Sequence, residues 1–63
     1  MKVVFELPSA DEAMALAQLT KRFTYEDAVR LSSRHDGGRE RGAMLEGILC
    51  LQRGLAEAGF APR

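Results

Sequence analysis

The chain of 63 residues has no tryptophan and contains one cysteine, one histidine and two prolines. A single cysteine excludes an internal disulfide, and one cysteine with one histidine cannot supply the ligands of a structural zinc site. The chain has nine basic residues (lysine and arginine) and nine acidic residues (aspartate and glutamate), so the formal net charge is zero. This balance argues against a strongly nucleic-acid-binding surface, although it leaves room for a local basic patch.

Long apolar runs and glycine-rich loops are also missing. No apolar run approaches the roughly 20 residues of a membrane span, and the N-terminus lacks the apolar region of a signal peptide. A lone thiol is typical of a reducing compartment, so we expect a cytoplasmic protein. Without linkers, repeats or a nucleotide-binding loop, residues 1–63 are predicted to form one small domain with no cofactor, small-molecule substrate or membrane partner. Such a chain buries only about 60% of its unfolded surface, and domains this small often oligomerise.

The opening segment KVVFELP alternates between its two sides, with Val3, Phe5 and Leu7 on the apolar side. Alternation with β-branched and aromatic residues, closed by a proline, predicts a half-buried β-strand over residues 2–7. The sequence contains no second strand. We therefore expect this strand to pair with the same strand of a second copy in a homodimer.

Three helices are predicted after the strand, at about residues 10–22, 25–34 and 40–58. The first two begin with signatures of helix capping, in which Ser9 and Thr24 are each followed three residues later by an acidic residue. The third ends where a glycine is followed by an apolar residue and then a proline. The predicted fold is mainly α with one N-terminal strand, in the order β-α-α-α.

The third predicted helix contains two interior glycines, Gly47 and Gly54, although each costs roughly 0.5–1 kcal/mol relative to alanine. On a helical wheel they form a stripe of small residues beside a heptad-like apolar seam. Either another backbone approaches the helix there, or the glycines are tolerated without a role. We expect the first case, with a dimer or partner interface made by the strand, the stripe and the seam. Its predicted residues are Val3, Phe5, Leu7, Met44, Gly47, Ile48, Leu51, Gly54 and Leu55.

Few residues suggest chemistry. His35 and Asp36 resemble a general base with its orienting carboxylate, but adjacent residues in an HDGG turn are more typical of a helix end. Cys50 lies mid-helix among apolar residues and is predicted to be a small buried hydrophobe rather than a reactive thiolate. We therefore expect no catalytic residues and no metal site, so the protein is predicted not to be an enzyme.

One local concentration of arginines joins the end of the second helix to the start of the third. It is either a solvated polar face or a binding patch for phosphate or an acidic partner. The candidate patch comprises Arg30, Arg34, Arg39 and Arg41.

Positions 2–34 resemble a ribbon-helix-helix repressor domain. The shared features are the N-terminal strand, the basic dipeptide Lys21-Arg22 that ends the first helix, and Thr24 opening the second helix before an acidic pair and an alanine. The resemblance implies that outward strand side chains read the DNA major groove and that the N-terminus of the second helix binds phosphate. The implied DNA contacts are Lys2, Val4, Glu6 and Thr24.

The closing LAEAGFAPR, together with the opening strand, resembles a family of short proteobacterial proteins, many of them encoded near mobile elements. This resemblance implies a phage- or plasmid-borne interaction protein, such as an inhibitor of a host defence complex. We therefore expect a small regulatory protein that dimerises and binds another, unidentified protein. A ribbon-helix-helix-like repressor or antitoxin is the alternative.

Overall fold

Three helices build the fold of the computed structural model, which describes residues 1–62. They are α1 (Ala10–Arg22), α2 (Tyr25–Leu31) and α3 (Arg39–Glu57). α3 packs against both of the others, whereas the backbones of α1 and α2 do not pack side by side in the described part of the chain. The molecule is flat, with extents of 37 × 26 × 18 Å. The fold is therefore mainly α, with α3 as its central element.

Side-chain caps determine where α1 and α2 begin. The Ser9 hydroxyl oxygen accepts the backbone N–H of Asp11 at 3.2 Å, and its O–H donates to the Glu12 carboxylate. Thr24 and Asp27 form a complete capping box, because each side chain accepts the other's backbone N–H, at 3.2 and 2.9 Å. Such reciprocal bonds satisfy N–H groups that have no partner inside the helix.

The connection between α2 and α3 is stabilised by a carboxylate. α2 ends at Leu31, earlier than the expected residue 34, because Ser32 takes an extended conformation. The Asp36 carboxylate accepts the backbone N–H groups of Gly38 and Glu40, at 3.0 and 2.9 Å. Gly38, the N-cap residue, has no side chain and so makes no capping hydrogen bond. Asp36 thus caps α3 from two residues before its N-cap.

The end of α3 is a Schellman motif. Gly59 has the left-handed φ of 100°, and the Phe60 and Gly59 N–H groups donate to the carbonyls of Leu55 and Ala56, at 2.8 and 3.0 Å. Phe60 packs back against the core cluster that contains Leu55. Two hydrogen bonds and one apolar contact therefore terminate the helix, in the pattern typical of a glycine at this position.

The predicted N-terminal β-strand is wrong: none of residues 1–62 lies in a strand. Residues 2–7 carry the alternating pattern of a strand, but a strand exists only when a neighbour accepts and donates its backbone hydrogen bonds. The described chain supplies no such neighbour. The β-α-α-α order and the pairing of this strand with a second copy are corrected accordingly.

The core lies where α1 crosses α3 and is made of small residues. Ala13 and Ala17 of α1 are buried against Leu55 of α3, with exposures of 5%, 0% and 7%. Thr20 is also buried, and its hydroxyl donates to the Ala17 carbonyl at 2.6 Å. No large side chain is fully buried in the described residues. The partly buried residues around this core are Leu7, Met14, Leu16, Leu51 and Phe60.

Candidate protein-binding groove

A wide groove lies between the N-terminal segment, the start of α1 and one flank of α3. It has a volume of about 910 Å³ and is open to solvent. Residues 1–7 form one wall, and α3 forms the opposite wall with Gly47, Cys50, Leu51 and Gly54. The groove therefore depends on a segment that has no regular secondary structure and on the small-residue face of the longest helix.

The lining of the groove carries no charged side chain. The side chains of the lining that bear a polar or weakly polar atom are those of Ser9, Cys50 and Met1. Sites for small molecules usually combine an apolar pocket with several polar groups that fix the ligand's orientation. A wide apolar groove without such groups is more typical of a surface that another polypeptide covers.

The two interior glycines of α3 lie in the wall of the groove that α3 forms. A Cβ atom built on either Gly47 or Gly54 would meet no other atom within 4 Å, apart from the helix's own neighbouring backbone. Neither glycine is therefore required by packing inside the described chain. The close approach of α1 to α3 occurs instead at the alanines of α1, which are buried against Leu55.

The N-terminal wall of the groove exposes large apolar side chains. Val3, Val4 and Phe5 are 67%, 79% and 57% exposed, although all three line the groove. Only Leu7 of this segment packs against the core cluster. Although apolar and polar residues alternate in this segment, neither of its sides is buried before Leu7, because nothing in the described chain covers it.

Most of the predicted interface residues come together in this groove. Met44 and Ile48 are partly buried but do not line it. The predicted residues that line it are Val3, Phe5, Leu7, Gly47, Leu51, Gly54 and Leu55.

Sequence reasoning missed Cys50. It was predicted to be buried, but it is exposed and lines the groove. The wheel contained the signal, because residue 50 lies on the same flank of α3 as Gly47 and Gly54. Ala58, Phe60 and Met1 also line the groove.

The predicted arginine patch is divided among separate contacts. Arg30 pairs with Asp27 at 3.3 Å, and the guanidinium of Arg41 lies over the Tyr25 ring, 5.4 Å from its centroid. Arg34 and Arg39 are exposed in the loop and at the start of α3. Two of the four arginines are thus engaged by groups of their own chain.

The other residues singled out in the sequence have structural contacts. Both oxygens of Asp36 accept backbone N–H groups, so its carboxylate caps a helix, and the exposed His35 donates its backbone N–H to Ser33. Thr24 is occupied by its capping box with Asp27. The exposed Lys2 and Glu6 lie in the N-terminal segment, as does Val4. These positions form no shared site in the described chain.

The geometry defines a small three-helix domain with one open apolar groove. None of its helices combines the length and apolar character needed to cross a bilayer, within residues 1–62. The same residues contain no group of three histidine, cysteine, aspartate or glutamate side chains placed to hold a metal ion. The chain belongs to a family of unknown function (DUF7706), whose model matches residues 1–63. No curated protein and no solved structure matches it.

Proposed function

We propose that this chain is a small non-enzymatic regulatory protein that acts by protein–protein binding through the groove. The observation that supports this most is the lining itself, which is apolar, uncharged and open over about 910 Å³. Exposed apolar surfaces of this kind mark sites of protein association in soluble proteins. Nucleic acid would instead require basic side chains along the surface that binds it.

The ribbon-helix-helix alternative depends on a strand, and the described residues form none. In that arrangement the N-terminus of α2 would hold a DNA phosphate. Here the Asp27 carboxylate already accepts the Thr24 backbone N–H at that position, at 2.9 Å. A carboxylate would repel a phosphate brought to the same place. These two observations favour protein binding over DNA binding.

Photo-crosslinking inside the source cells tests the proposal. A benzoylphenylalanine is placed at Phe5 in the groove wall and, as a matched control, at Leu49 on another side of α3. The two side chains have almost equal exposure, 57% and 56%, so a difference in crosslinking reports location and not accessibility. We expect protein adducts from position 5 and few or none from position 49. No adduct from position 5, or equal adducts from both positions, would contradict the proposal.

A further inference from the structure

The chain exposes more surface than a folded monomer of its mass. Its accessible surface is 5096 Å², whereas a monomer of 6.9 kDa has about 4,000 Å² by the usual scaling with mass. The excess of about 1,100 Å² exceeds the roughly 800 Å² that each partner buries in a standard stable interface. The radius of gyration agrees, at 12.7 Å against about 10.6 Å for a compact chain of this length.

Charge restricts what can cover this surface. The groove contains no acidic or basic side chain, so it offers nothing that would select a strongly charged partner. The chain's formal net charge is also zero. Two copies therefore meet without long-range repulsion, and an uncharged apolar face can be complementary to itself, as a two-fold interface requires.

We propose that the occupant of the groove is a second copy of this chain, with the two α3 helices crossing near Cys50. This inference rests on the proposed function and names the partner of the same groove. Gly47 and Gly54 leave room above the helix where the second α3 would approach. The exposed N-terminal segments then cover the sides of the contact and contribute the apolar area that the single chain leaves open.

Two-fold symmetry places the two thiols close together. Cys50 lies three residues after Gly47 and four before Gly54, so it sits at the middle of the contact. In an antiparallel crossing centred between the glycines, the two Cys50 residues are offset by only about 1.5 Å along the helix axis. In a parallel crossing they lie opposite each other. Both arrangements predict that a short crosslinker joins the two copies through Cys50.

Sedimentation at micromolar concentrations tests association directly. We expect twice the 6.9 kDa mass of the chain. Gly54→Leu places a side chain in the contact and should raise the dimer dissociation constant by about 10- to 100-fold, as overpacking does elsewhere. Gly42→Leu is the matched control: this glycine also lies in α3, where a Cβ would meet nothing within 4 Å, but it does not line the groove. It should leave the dimer intact. Circular dichroism checks that both variants fold.

Crosslinking with a short bismaleimide provides a second readout. The wild type should give a covalent dimer, whereas Cys50→Ser combined with Ala56→Cys should not, because residue 56 is exposed on another flank of α3. A 6.9 kDa species at every concentration, or equal crosslinking from both positions, overturns the dimer.

The photo-crosslinked adducts from Phe5 separate this proposal from the proposed function. An adduct with this chain supports both, and an adduct with only a different protein preserves the function while overturning the second copy. No adduct contradicts the function.

Discussion

Replacing Gly54 by alanine should change folding and association in opposite directions. In the single chain the new methyl group meets nothing within 4 Å, so only the helix propensity changes. Alanine in a helix interior is favoured over glycine by about 0.5–1 kcal/mol. For a domain of this size, 1 kcal/mol corresponds to about 4–8 °C in Tm. The dilute protein should therefore melt about 2–8 °C higher than the wild type.

The same methyl group occurs twice in a two-fold dimer, between two closely approaching backbones. Association should weaken, so the gain in Tm should shrink or reverse as protein concentration rises above the dimer dissociation constant. Thermal melts followed by circular dichroism over a wide concentration range measure this crossover. Gly42→Ala, which also adds a methyl group in open space, should raise Tm by a similar amount at every concentration. If Gly54→Ala lowers Tm in the dilute protein, the methyl group clashes within the chain and the reasoning fails.

Three further changes test the fold. Leu55→Ala removes the only buried large apolar side chain of the described residues. It should lower the free energy of unfolding by about 2–5 kcal/mol, which urea denaturation would measure. A loss below about 1 kcal/mol would contradict the assignment of Leu55 to the core. Gly59→Ala forces a side chain into a φ of 100° and should lower stability by about 1–2 kcal/mol, whereas an unchanged Tm would mean that the Schellman motif is dispensable. Asp36→Ala removes the cap of α3 and should lower the free energy of unfolding by about 0.5–2 kcal/mol. Hydrogen exchange should show faster exchange of the backbone amides of residues 38–40.

The pH dependence of stability has one assigned contributor. Hydrogen bonds from the backbone N–H and hydroxyl of Thr24 lower the pKa of Asp27 below its ordinary 3.8. Since the folded pKa is the lower one, the carboxylate contributes stability above pH 3.8 that is lost as pH falls through the folded pKa. Wild type should therefore exceed Asp27→Asn in Tm at pH 7, and the difference should narrow below pH 3.8. A difference that stays constant down to pH 2 would show that the carboxylate's charge is not the cause.

The starts of α1 and α2 and the end of α3 could be predicted from sequence because their causes are local. Thr24 and Asp27 are three residues apart and satisfy each other's backbone groups wherever the rest of the chain lies. Gly59 and Phe60 likewise close α3 through bonds to the preceding turn. Such interactions involve neighbours in the chain, so a short stretch of residues contains all the information they need.

Tertiary structure decided which surfaces are covered. The alternation in residues 2–7 is a strand pattern, but a strand also needs a partner, and whether one is present is a property of the whole fold. Because α3 is apolar on nearly every side of its helical wheel, the sequence could not predict which apolar residues would be covered. In the structure α1 covers Leu55, whereas Cys50 remains exposed. Sequence by itself determined three helices, the caps that start the first two and the cap that ends the third, and a small-residue stripe beside an apolar seam. Only the packing of α1 and α2 on α3 decided that the stripe and the N-terminal segment face each other across an open groove, because burial depends on contacts between residues far apart in the chain.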